Sequence, residues 1–384
     1  MRILFYIIAS VFSIGLFAQS PSYYNYSDTK LRLNSVSLQD SIVCHFHLPE
    51  TFNSAAANTK YPVIILFDSQ HEKTYPQIIN ALDMLTSESQ VPESIIIGIP
   101  FDRYNRYYYT SSQTKKGDSI AGIERTEAFI FQELLPLLKE KYQANDFLAL
   151  VGHSRTAFLT NYLLTKQSPL INLAIAASGF YNNKPLQVEG MKAFLSDSES
   201  FPHQSKYFFT AGTTIDEKIY FDQCTDMADF LEKENHAKNL EWSFTATESA
   251  NHMTNYWMSV PPIFAQCFSS YNKILNDWFE TKLKDQQLQN PVASFKADLT
   301  RVGNELGFKV NPSLTQLFSI ASDYAQKERY ETAIDFILLG KEYYPDYAEL
   351  DESLVEFYKA LGDLGKSHYW QKQMEQRTNE PEGK

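Results

Sequence analysis

Cysteine is scarce. Only Cys44, Cys224 and Cys267 occur in 384 residues. So sparse and odd a set gives no disulfide framework, although one bridge stays open. No Cys/His cluster has zinc-ligand spacing, so the sequence offers no metal site and calls for no cofactor. Glycine (14) and proline (16) are too few for a collagen-like or linker-dominated chain. Basic residues are outnumbered, 34 Lys+Arg against 46 Asp+Glu, and a net charge of −12 disfavours nucleic acid and anionic membranes, both polyanionic. What is abundant is apolar: 43% hydrophobic residues, with 27 Phe and 24 Tyr, enough for a large core and an aromatic-lined cleft.

The first 19 residues are read apart as a signal peptide. Arg2 is followed by an apolar run from Ile3 to Phe17 and small or polar residues at Ala18, Gln19 and Ser20. At about 15 residues the run falls short of the ~20 that span a bilayer. No Cys near its end offers a lipid anchor. Cleavage near Ala18 or Gln19 is expected, with a periplasmic or secreted product free of the membrane.

Residues 20–285 carry an α/β pattern. Leu31 to Leu48 alternates as antiparallel strands do. Continuous apolar runs follow at Tyr61–Phe67, Ser94–Ile99, Phe147–Val151, Leu173–Ala176, Tyr207–Thr210 and Trp242–Thr245. Such runs mark strands covered on both faces, as in a parallel sheet. Helical stretches, among them Tyr75–Leu85 and Arg125–Tyr142, lie between them. From 286 to 378 the chain reads as helices. Ile320, Tyr324 and Ile334 align with Leu354, Tyr358 and His368 at an offset of 34, and Pro345 closes the first unit. This resembles tetratricopeptide repeats, about two of them. Two units cannot bury a solenoid core, so they are expected to dock on the α/β part or on each other. They also offer a place for a protein partner. Residues 379–384 read as a disordered end.

The chemistry is expected where the buried strand at Phe147–Val151 runs through Gly152-His153-Ser154-Arg155-Thr156 into an amphipathic helix. That is the context of a nucleophile elbow, with Ser154 at the apex. Thr156 stands where a second glycine is usual, which calls for a helix packed slightly further from the strand. A serine needs a general base. Of the histidines after Ser154, His203 precedes a strand, His236 lies in a charged helix and His368 in the helical extension. His252 follows the last strand, where the base belongs. Asp216 is the first candidate for the acid that orients it, Glu217 the second, with Asp222 behind them. The oxyanion donors are expected to be Arg155 N–H and the N–H of Ser69 or Gln70, after the first central strand.

These segments resemble the putative-esterase family of α/β hydrolases, which includes siderophore, feruloyl and acetyl-xylan esterases and mycolyltransferases. The resemblance runs from about Ser35 to Leu275. Its landmarks are Ser35, Leu38, Leu48 and Pro49, the Pro62–Asp68 strand, Ile95–Thr110, Phe129–Tyr142, the elbow and the Asn251-His252 loop. Thr156 and Asn251 depart from the usual glycines. The resemblance implies an α/β-hydrolase fold with a mostly parallel sheet, Arg106 at the cleft entrance, and siderophore-esterase-like enzymes as the nearest subgroup. It also implies a serine esterase acting on a small-molecule ester such as a siderophore or acyl sugar. The tyrosines at 104, 107, 108 and 109 offer stacking surfaces. The competing readings are a non-catalytic scaffold that works through its helical repeats, and an acyltransferase on the same fold.

Overall fold

The computed structural model describes residues 29–378, apart from 104, 183, 197–203 and 235–239. The expected signal segment, residues 379–384, Tyr104, His203 and His236 therefore lie outside the described residues. Two strands, β1 (Thr29–Ser35) and β2 (Asp40–His47), form an antiparallel hairpin. The apolar runs become β3 (Tyr61–Phe67), β4 (Ile95–Ile99), β5 (Ala144–His153), β6 (Leu173–Ala177), β7 (Ser205–Gly212) and β8 (Leu240–Thr247). All eight share one sheet in the order β1-β2-β4-β3-β5-β6-β7-β8. β2 pairs antiparallel with β4, and every pairing from β4 to β8 is parallel.

The body's helices are α1 (Thr74–Ser87), α2 (Arg106–Tyr109), α3 (Gly122–Ala128), α4 (Leu135–Lys141), α5 (Arg155–Gln167), α6 (Lys184–Ser196), α7 (Lys218–Glu234), α8 (Thr254–Cys267) and α9 (Ser269–Glu280). The helix expected over Arg125–Tyr142 is broken by a π-helical stretch, Phe129–Leu134. Pro136, at the start of α4, has no N–H for the regular ladder, so the turn before it widens.

Strand alternation divides the apolar side chains between two faces. On β5, Phe147, Ala149 and Val151 join a core with α1, α8 and α9, while Leu148 and Leu150 join the core beneath α5 and α7. The first of these cores continues without a break into the helical tail, α10 (Pro291–Leu306), α11 (Leu314–Gln326), α12 (Tyr330–Tyr343), α13 (Ala348–Leu361) and α14 (Leu364–Thr378). Trp278 of α9 is fully buried, 5.6 Å from the Phe295 ring and 5.5 Å from the Phe336 ring. Polar ties cross the same seam: Ser89 Oγ to Ser313 Oγ at 2.6 Å, Thr315 Oγ1 to Ser87 O at 2.7 Å, and Ala56 N–H to Tyr343 O at 2.8 Å. The tail thus docks on the body. Its two hairpins, α11–α12 and α13–α14, start 34 residues apart. The three cysteines are buried, free thiols, and no bridge joins them.

Candidate active site

The turn from β5 into α5 is tight and strained. Ser154 lies between them with φ +56°, in the left-handed region that a residue with a Cβ normally avoids. Its N–H donates to Ala177 O on β6 (2.9 Å), which fixes the turn to the neighbouring strand. A Cβ at Gly152 would sit 2.2 Å from the carbonyl oxygen of Thr156, so only glycine lets the helix start this close to the strand. The Thr156 side chain is directed to Asp68, to which its hydroxyl donates at 2.9 Å, and it is fully buried.

Ser154 and His252 line one cleft of about 480 Å³, together with Gln70, Phe101, Arg106 and Met253. His252 sits in the loop between β8 and α8, and its Nδ1 is hydrogen-bonded to Glu217. The Glu217 carboxylate is buried and accepts two further bonds, from Ser178 Oγ (2.7 Å) and Gly212 N–H (3.0 Å). Burial pushes its carboxyl up, but the bonds from His252, Ser178 and Gly212 outweigh this and hold it below the ordinary value. A carboxylate on Nδ1 fixes the ring tautomer and leaves Nε2 as the acceptor.

The carboxylate against the ring is therefore that of Glu217, not Asp216. Asp216 stays near solvent, where it accepts from Thr214 Oγ1 (2.6 Å) and from the His252 backbone N–H (3.3 Å). The cause is the short turn Ile215–Glu217, which points successive residues in different directions. Glu217, one methylene longer, reaches back under Gly212, where an added Cβ would lie 2.9 Å from Glu217 Cγ and 2.1 Å from Ala250 O. One sequence signal distinguishes the two acids. Glu217, Cys224 and Leu231 repeat every seven residues, and Cys224 and Leu231 lie on the buried stripe of α7. Asp222 is spent in an exposed ion pair with Lys218 (2.7 Å).

Ser69 and Gln70 are also separated by their surroundings. The Ser69 N–H extends the sheet by donating to Ile99 O (3.3 Å), which removes it as an oxyanion donor. Gln70 N–H has no partner among the described residues, and Arg155 N–H opens α5, where first-turn donors are unpaired by geometry. Arg106 does line the cleft, but it makes a bidentate pair with Asp68 at 2.7 and 2.6 Å. Of the tyrosines, Tyr109 is buried with its hydroxyl on Leu38 O (3.2 Å), and Tyr108 packs beside it (ring centroids 5.2 Å apart). Tyr107 is exposed, with the Arg155 guanidinium 4.4 Å from its ring centroid.

His153 and Asp68 escaped the sequence reading. His153 donates from Nε2 to the His252 carbonyl oxygen (2.6 Å) and so braces the loop that carries the base. Burial, and then the neighbouring His252, lower it to about 4, so it is neutral at ordinary pH. A larger crevice of about 750 Å³ opens at the seam between body and tail, lined by residues such as Asp83, Glu93, Ser313 and Phe318, and contains neither Ser154 nor His252.

The family model described as "Putative esterase" matches residues 35–259. The chain belongs to the putative-esterase family. Ester hydrolysis is the activity class that this membership carries. A search of curated proteins finds no match. Among solved structures, an IroE-like serine hydrolase from Shewanella oneidensis superposes with a TM-score of 0.64 at 20% identity, covering 82% of this esterase and 98% of that chain. An uncharacterised protein from Capnocytophaga ochracea gives 0.59 at 16%, covering 91% and 93%. The siderophore hydrolase EstB from Aspergillus nidulans gives 0.52 at 15%, covering 62% and 93%. At these identities the likeness is one of fold.

Proposed function

We propose that the protein is an exported serine esterase using Ser154 as nucleophile, His252 as general base and Glu217 as the orienting acid. The observation that carries this reading is the strained Ser154 facing the cleft that holds His252, whose Nδ1 is bound to a buried carboxylate. His252 takes the Ser154 proton as Oγ attacks the ester carbonyl. The carbonyl oxygen becomes an oxyanion between Gln70 N–H and Arg155 N–H. His252 then returns the proton to the departing alcohol, and the chain is left as an acyl-enzyme. Water, deprotonated by the same imidazole, attacks the acyl carbon, the bond to Ser154 Oγ breaks, and the imidazolium returns the proton to Oγ as the acid leaves. Glu217 stays ionised throughout and stabilises the imidazolium.

The substrate we infer is a small-molecule ester. The siderophore-hydrolase fold neighbours make siderophore esters a first class to test, beside short-chain aryl esters and acyl sugars. Export rests on the apolar run from Ile3 to Phe17 and the small residues after it. The test is hydrolysis of an ester panel by the chain lacking residues 1–19, next to Ser154→Ala. The variant should lose about 10⁴–10⁶-fold in kcat at unchanged folding. Retention of more than roughly a tenth of the rate places the nucleophile elsewhere.

A further inference from the structure

The two oxyanion donors belong to segments far apart in sequence, the loop after β3 and the first turn of α5. Their separation must be held to a fraction of an ångström for both to meet one oxygen. We propose that Asp68 is the positioning residue that holds them, with the Thr156 hydroxyl as its anchor on the nucleophile helix. This rests on the reading of Ser154 as the nucleophile.

Four contacts carry it. The Asp68 carboxylate, buried just beyond β3, accepts from Thr156 Oγ1 at 2.9 Å, across 88 positions of sequence. It accepts from Gln70 Nε2 at 2.9 Å, on the cleft-lining residue whose backbone N–H is the proposed oxyanion donor. It takes the Arg106 guanidinium in bidentate fashion at 2.7 and 2.6 Å. Thr156 Oγ1, for its part, accepts the His153 N–H at 2.9 Å, immediately before the nucleophile. Gln70 extends the network by accepting the Phe101 N–H on Oε1 (2.9 Å). One carboxylate thus ties the β3 loop, the β4 loop, α2 and the elbow together. Asp68 adopts φ +61°, a conformation that costs energy in a residue with a Cβ and persists only where the surroundings enforce it. A glycine at position 156 could make none of these bonds. Thr156 is therefore a working part of the elbow, and Arg106 is a clamp whose charge Asp68 offsets.

The test compares wild type, Thr156→Ser, Thr156→Val, Asp68→Asn and the Asp68→Asn/Thr156→Val pair on a chromogenic short-chain ester, with thermal midpoints as the folding control. Thr156→Val and Asp68→Asn should each lower kcat by about 10–100-fold while KM moves less than about threefold, because geometry is lost in the transition state and not in binding. Thr156→Ser, which keeps the hydroxyl, should stay within about threefold of wild type, and the double variant should be no slower than the slower single. A Thr156→Val enzyme within about threefold of wild-type kcat, a Thr156→Ser no better than Thr156→Val, or losses that multiply in the double variant would overturn the proposal. If Asp68→Asn does not fold, the near-isosteric Thr, Ser and Val series decides alone. Ser154→Ala, assayed alongside, separates the two claims: an active alanine variant removes the nucleophile reading, whereas an inactive one with wild-type-like Thr156→Val removes only the role of Asp68.

Discussion

At the scale of single residues, the acid assignment makes the sharpest prediction. Glu217→Gln keeps the shape and still accepts at Oε1, but it no longer balances an imidazolium. Its kcat should fall by roughly 10²–10⁴-fold, against less than about threefold for Asp216→Asn, since Asp216 meets only the backbone of His252. Equal losses at both positions, measured as kcat on one ester, would contradict the geometry. The residues that sequence placed well are those whose role leaves a local trace. Ser154 stands between a buried strand and a helix, and His252 follows the last strand. The residues it missed act through long-range contacts. Nothing near Asp68 in the chain announces Thr156 or Arg106 as its partners, and Ser69 and Gln70 differ only in which backbone N–H the sheet has already used.

Among the elements, β3 to β7 were legible because burial on both faces demands unbroken apolar runs; the run at Trp242–Thr245 also became a strand, but β8 is the sheet's edge and is half-exposed, not covered on both faces as expected. The split of the helix before β5 was not legible, since it follows from one proline on an otherwise regular pattern. The seam between body and tail was equally hidden, and it contains a pH-sensitive group. Glu93 receives bonds from Thr51 Oγ1 and, at 3.4 Å, Thr51 N–H, and Tyr61 bonds to the same Thr51 hydroxyl at 3.1 Å. Burial above all, with Glu50 adding to it, raises the Glu93 carboxyl from 4.5 to about 7 despite the Thr51 bonds. A carboxyl raised in the folded state favours folding below the unfolded value of 4.5 and loses that contribution as pH climbs through 7. The loss is on the order of 3 kcal/mol at most. Glu93→Gln should therefore gain thermal midpoint relative to wild type at pH 8 and gain little at pH 4.5. A variant whose advantage does not change with pH would rule out Glu93 as the titrating group.

For the whole molecule, the continuous core joining α1, α8 and α9 to α11–α13 means that the tail belongs to the folding unit. Every proposed catalytic residue nonetheless lies between Gln70 and His252. Truncation after Asp285 should strip the cover from Trp278 and Tyr271, raise binding of an apolar dye, and lower the thermal midpoint by about 10 °C or more. The fraction that stays folded should still hydrolyse a small ester. A truncated chain with the full-length midpoint would show that the shared core contributes little, and a folded but inactive one would place a catalytic element in the tail. The 34-residue offset was legible because helical hairpins repeat in sequence. That they would dock was expected, but the surface they dock on was not legible, because an apolar face does not name the surface that covers it.

The proposed mechanism makes Ser154 a nucleophile activated by His252 and Glu217. Its most direct test is the reaction of the folded protein with a fluorophosphonate, read by intact mass and peptide mapping. The expected result is a single adduct on the peptide containing Ser154, formed rapidly in wild type, at least about 100-fold more slowly in His252→Ala, and not at all in Ser154→Ala. An adduct on any other residue, or labelling of Ser154 at an equal rate without His252, would contradict it.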